Sequence, residues 1–103
     1  MNHAQILQLD PLIHAPIRLG ILSILVAVES APFSYLKDRL DTSDGNLSTH
    51  LTKLEQAGYV SIEKSFQGKR PLTTCFMTEM GRKAFETYLE QLERIVKTTK
   101  SGE

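Results

Sequence analysis

The sequence predicts one mainly helical domain carrying a small β-hairpin, and three observations lead there. The chain has 103 residues, 41% of them hydrophobic, which suits one core and a single domain spanning residues 1–103. Apolar residues recur at three- and four-residue intervals in four separate stretches, as on amphipathic helices. One intervening segment, residues 59–63, alternates apolar and polar side chains with period two, as a half-buried strand does.

Charge and cysteine content bound the function. Twelve Lys plus Arg balance twelve Asp plus Glu, so a nucleic-acid partner has to be met by a local basic patch. Cys75 is the only cysteine, which excludes an internal disulfide and a four-cysteine zinc site and fits a reducing compartment. The longest apolar stretch, residues 19–28, is roughly half of what a bilayer span requires, so no membrane partner is expected. Residues 1–10 lack the basic region and cleavage site of a secretory signal, and the expected location is cytoplasmic.

Residues 1–12 read as a lead-in segment, weakly helical over residues 4–9 and interrupted at Asp10-Pro11, because proline disfavours helical geometry in the residue before it. Pro16 is well placed at a helical first position. Ile17, Ile21, Ile24, Leu25 and Val28 follow as one stripe, with Leu19, Leu22 and Val26 on the other sides, so this first helix is expected to be buried nearly all round. Ser30-Ala31-Pro32 stops it. Phe33, Leu36 and Leu40 mark a second, two-turn helix with Lys37, Asp38 and Arg39 facing out.

Asp41-Thr42-Ser43 then supplies side-chain oxygens for the free amides of a third helix starting near Asp44, in which Leu47, Leu51 and Leu54 recur at i, i+4 and i+7. Gly58 ends that helix as a left-handed cap. The alternating residues 59–63 lead into a turn at residues 67–71 and a return strand at residues 72–77. Thr78 caps a last helix with Glu79 in its first turn, running over residues 78–98 before a frayed tail at residues 99–103.

Two short helices joined by a tight turn, followed by a hairpin with a basic tip, describe a helix-turn-helix with a wing. With the three leucines inward, 100-degree steps aim Asn46, Thr49 and Lys53 away from the core, with Ser48 and His50 on the flanks. Asn pairs with adenine, Thr touches a thymine methyl or a phosphate, and Lys reaches guanine or backbone oxygen, so this face can read bases in the major groove of double-stranded DNA. Asn46 and Thr49 are the expected base readers. Ser43 at the helix start can donate to a phosphate, although Asp44 beside it repels the same phosphate. Lys64, Lys69 and Arg70 place three cations within seven residues where a wing meets phosphates or the minor groove.

The last helix, about 30 Å long, outruns so small a core. Its stripe of Phe85, Leu89, Leu92 and Val96, flanked by Tyr88 and Ile95, is expected to join two copies, setting two third helices about one DNA turn apart. His3, His14, His50 and Cys75 do not fall at ligand spacing, so neither metal nor cofactor is expected. No nucleophile with its base, no paired carboxylates and no glycine-rich phosphate loop support catalysis.

Phe33-x-x-Leu36-x-x-x-Leu40, Asp44-Gly45-Asn46-Leu47-Ser48-x-His50-Leu51-x-x-Leu54-x-x-x-Gly58-Tyr59-Val60, Lys64-x-Phe66-x-Gly68-Lys69-Arg70-Pro71-x-Thr73 and Thr78-x-x-Gly81-Arg82-x-Ala84-Phe85 form a joined motif. It resembles the compact winged-helix transcriptional regulators, small relatives of the multiple-antibiotic-resistance (MarR) and arsenical-resistance (ArsR) repressor families, over roughly residues 17–90. The resemblance implies a homodimeric regulator on a pseudo-palindromic operator, with the third helix in the major groove and the wing on the flanking backbone or minor groove. It places Asn46, Ser48, Thr49, His50 and Lys53 at the DNA through the helix, and Lys69 and Arg70 through the wing. Met77 and Cys75 depart from the commoner Leu and aromatic or polar residues at those positions. A small-molecule effector, if one exists, would bind at the dimer interface or between helices. A winged helix can also dock on protein, since fold does not dictate function, and that is the alternative reading.

Overall fold

The structure, a computed structural model, describes residues 3–102. A 3-10 helix (His3–Gln8) precedes α1 (Pro16–Val28), β1 (Ser30–Pro32), α2 (Phe33–Leu40), α3 (Asp44–Gln56), β2 (Val60–Gln67), β3 (Arg70–Met77) and α4 (Glu79–Lys100). Helices α2 and α3 form the helix-turn-helix, and the β2–β3 hairpin is the wing. α4 continues through Lys100, two residues beyond the expected end, and Ser101 and Gly102 follow as a turn. Met1, Asn2 and Glu103 lie outside the described residues.

Ser30-Ala31-Pro32 does more than stop α1: it is the edge strand of a three-stranded antiparallel sheet in the order β1-β3-β2. Ala31 pairs with Cys75 and Pro32 with Thr74. Three residues without alternation or a β-branched side chain carry no strand signal, and the partner lies more than forty positions away. Glu29 makes the bend into β1 in a positive-φ conformation (φ 69°) uncommon for a non-glycine residue. Its amide closes on Leu25 O at 2.7 Å and its carbonyl accepts from Met77 N at 2.8 Å.

The core gathers Ile13, Ile21, Leu22, Leu25, Leu36, Leu47, Leu51, Leu54, Val60, Cys75, Phe85 and Tyr88. α1 buries one face into it and not its whole circumference. Ile17, Leu19, Ile24 and Val26 are half-buried and Val28 is exposed, because α2, α3, α4 and the sheet edge that pack on that helix do not enclose it. Cys75 is fully buried, and that burial, with a smaller contribution from the Glu55 charge, pushes its thiol up to about 11. A thiol so disposed packs as a small apolar residue and is a poor nucleophile.

Three closures set the orientation of α3. Asp41, in the left-handed conformation (φ 49°), ends α2, and Ser43 Oγ accepts from Asn46 N at 3.1 Å as the N-cap of α3. At the far end Gly58 (φ 82°) donates to Glu55 O and Tyr59 to Leu54 O, both at 2.9 Å, the paired closure of a Schellman motif. The lead-in segment is tied to the same corner. The Tyr59 hydroxyl donates to Asp10 Oδ2 at 2.5 Å, and Tyr88 shares a 2.8 Å hydrogen bond with His14 Nδ1. The Asp10 bond, more than burial, pushes the Tyr59 phenol up to about 12.

Candidate nucleic-acid interface

Leu47, Leu51 and Leu54 are buried, so α3 presents Asn46, Ser48, Thr49 and Lys53 to solvent. Asn46 Nδ2 donates to Thr42 Oγ1 at 2.9 Å. One amide hydrogen is thus committed, while the second and the carbonyl oxygen remain for a base edge, the pair that adenine requires. Thr49 gives its hydroxyl proton to Gly45 O at 2.9 Å, leaving a methyl and a lone pair facing out. Ser43 uses a lone pair for capping and keeps its own proton to donate. The Asp44 carboxylate is held by Lys37 Nζ at 3.0 Å, which offsets its repulsion of a phosphate at the helix start.

His50 is not placed as expected. It is half-buried on the α1 side of α3, where Arg18 Nη1 donates to its Nδ1 at 3.0 Å while Arg18 Nε donates to Leu12 O at 2.5 Å. A guanidinium only donates, so Nδ1 accepts and the ring is neutral with its proton on Nε2. His50 therefore braces α3 against α1 and the lead-in segment; Arg18 is the partner that sequence spacing could not reveal. Burial first, then the Arg18 and Lys53 charges, lower the His50 pKa from its ordinary 6.5. Because folding favours the neutral ring, its contribution to stability is complete above pH 6.5 and is lost as pH falls through the lowered native value. Melting curves between pH 7.5 and 5 are expected to show a decline on acidification that is shallower in His50→Gln, and parallel curves would exclude the brace.

The wing reverses in two residues, Gly68 and Lys69, with Gly68 at φ 65° as the first turn position of a type II′ hairpin requires. Lys64, Lys69 and Arg70 are all exposed, and among the described residues no carboxylate forms an ion pair with any of them or with Lys53. Strand alternation separates the cluster read from sequence. Lys64 shares the face of Val60 and Ile62 that packs toward α3, whereas Arg70, opposite Gln67, lies on the other face. A groove of about 750 Å³ runs between α3 and the wing, lined by Ser48, Thr52, Glu55, Lys64 and Thr73 over an apolar floor of Phe33, Leu51 and Ile62.

The profile of the winged helix DNA-binding domain matches residues 17–96. The chain belongs to that family. An uncharacterized protein of Methanocaldococcus jannaschii is 40% identical over 81 residues, 79% of this chain and 88% of that one. The solved structure of a transcriptional regulator homologue protein from Pyrococcus horikoshii OT3 is 29% identical, with a TM-score of 0.87 over 96% of this chain and 98% of that one. A MarR family transcriptional regulator from Silicibacter pomeroyi shares the fold at 20% identity, with a TM-score of 0.64 over 88% of this chain and 57% of the other.

In this winged helix the apolar stripe of α4 divides. Phe85 and Tyr88, expected at a surface between copies, are buried in their own core, with Tyr88 1% exposed. Leu92 and Ile95 pack partly against the core, and Leu89 and Val96 stay exposed, as do Ile6 and Leu7 of the 3-10 helix that lies on α4. Sequence reasoning also missed Thr42 as the support of Asn46, and it gave no role to Phe66. Among the described residues no His, Cys, Asp and Glu side chains converge to hold a metal ion, and no helix is long and apolar enough to cross a membrane.

Proposed function

We propose that the chain regulates transcription as a homodimer on a pseudo-palindromic DNA operator, α3 entering the major groove and the wing meeting the flanking backbone or minor groove. The observation that carries this reading is the exposed, polar α3 face beside Lys53, Lys64, Lys69 and Arg70, which form no ion pair among the described residues, in a chain of no net charge. With α3 in one groove and the wing in the next, the phosphate ridge between them runs along the groove where Ser48, Thr73 and Lys64 offer donors. Glu55 opposes it there, as does Asp44 in part, its charge being held by Lys37, while Lys53, Lys64 and Lys69 flank the same path.

Dimerisation rests on Leu89, Val96, Ile6 and Leu7, apolar side chains left exposed on two elements that already pack together, with half-buried Leu92 and Ile95 between them and the core. A second copy is the occupant that also supplies the second recognition helix of a symmetric site. Selection of bound fragments from random duplex DNA is expected to return an inverted repeat with half-sites about one helical turn apart. The affinity for that repeat is expected to fall with salt at a log–log slope of about −5 if Lys64, Lys69 and Arg70 of both copies each neutralise one phosphate. Enrichment of no sequence, with no DNA retarded at low salt, would favour a domain that docks on protein.

A further inference from the structure

Phe66 is 73% exposed near the tip of the wing, an unusual place for a large aromatic ring. The hairpin holds it rigidly. Gln67 pairs with Arg70 across the two-residue turn, which makes Phe66 and Pro71 the adjacent, non-hydrogen-bonded pair, the closer of the two cross-strand spacings at about 4.5 Å between Cα atoms. Pro71 loses no ladder bond there, because β1 pairs β3 only at residues 74–76 and its outer edge is free. Its ring backs Phe66 with a side chain of almost no freedom.

Alternation fixes the direction. Phe66 follows Val60, Ile62 and Lys64 on the face of the sheet that turns toward α3, and Ile62 and Lys64 already line the groove beside that helix. The ring therefore stands on the same side as the base-reading residues, one step beyond the groove. Lys64 shares that face and Lys69 stands at the turn, whereas Glu63 and Arg70 lie on the opposite face. An apolar ring with Lys64 on its own face and Lys69 at the turn is complementary to a nucleic-acid groove, whose walls are anionic and whose floor of base edges is apolar in part.

We propose that Phe66 is an apolar wedge which the wing presses into the minor groove, partly unstacking one base step and favouring easily opened pyrimidine–purine steps. This rests on the DNA-binding reading above and adds to it a site of indirect sequence preference outside the α3 contacts. A ring held in advance on a stiff hairpin gives up little entropy on insertion.

The test uses the full chain and the duplex recovered by selection, with 2-aminopurine replacing adenine at each flanking step in turn. Wild type is expected to raise the fluorescence at one step, whereas Phe66→Ala leaves it unchanged and binds about tenfold more weakly. Phe66→Leu is expected to keep most of both effects. Since the ring is exposed, the melting temperature of Phe66→Ala should match wild type, which separates a contact from a folding defect. Equal affinity of Phe66→Ala and wild type, with no fluorescence change for either, overturns the wedge and leaves DNA binding standing. Loss of self-association in Phe66→Ala without loss of affinity overturns it in favour of a contact between copies, and failure of wild type to bind any duplex overturns both readings.

Discussion

Gly81→Ala is expected to destabilise the fold by about 3 kcal/mol or more, the cost of forcing an added methyl into packed backbone. A Cβ at residue 81 would stand 2.0 Å from Tyr59 O and 2.8 Å from its carbonyl carbon, neither of which can swing aside. Tyr59 is held from three directions: its amide by Leu54 O, its carbonyl by Thr78 N at 3.2 Å, and its hydroxyl by Asp10. Thr78 closes the corner, donating to Gly58 O at 2.6 Å and accepting from Gly81 N at 3.0 Å. The corner joins the end of α3, the base of the wing and the start of α4, so relieving the clash means moving α4 away from the DNA-facing elements. Thermal unfolding should show a fall of roughly 12 °C or more for a domain of this size. Gly45→Ala is the matched control: on α3 nothing lies within 4 Å of the added methyl. Replacing a helical glycine there should stabilise by about 0.5–1 kcal/mol. Equal melting temperatures for the two variants would show that α4 does not seat on Tyr59 as described.

Asn46→Ala and Arg70→Ala are expected to weaken DNA binding in different ways. Asn46 presents a free carbonyl oxygen and one free amide hydrogen from a side chain steadied by Thr42. Losing that pair should remove about 1–3 kcal/mol of discrimination at one base position, leaving binding to unrelated duplexes nearly unchanged. Arg70, on the wing and in no ion pair among the described residues, should cost affinity for every sequence alike and reduce the salt slope by about one per copy. Competition assays across all single-base variants of the selected site, at two salt concentrations, separate the effects. Equal losses of base preference from both substitutions would mean that the roles of helix and wing are misassigned.

The helices were legible because each announces itself locally: Pro16, Ser43 and Thr78 at the starts, Gly58 at a stop, and leucines every three or four residues between. The hairpin was legible in outline, although β2 extends to Gln67 and the turn tightens to Gly68 and Lys69, because residues 63–67, polar except for Phe66, alternate too weakly to mark a strand. The candidate site was half legible. Helical phase identified Asn46, Ser48, Thr49 and Lys53 as outward, and composition found the wing cations. His50 sits on the same helix at a phase that reads equally as flank or brace, and only the arrival of Arg18 from α1 decides between them.

By itself the sequence determined which face of each helix turns inward and where each helix begins, since side-chain periodicity and capping act within a turn or two of chain. Only the tertiary structure decided that β1 joins the sheet, that Arg18 takes His50 from the DNA-facing set, that Lys64 and Arg70 lie on opposite faces of the wing, and that Phe85 and Tyr88 belong to the domain's own core. The reason is common to three of these. Each depends on a partner dozens of residues distant, whose approach is set by how whole elements pack, and no pattern within a few residues encodes it. For Lys64 and Arg70 it is the register of the hairpin pairing, which fixes the pleat and therefore the side on which each cation stands.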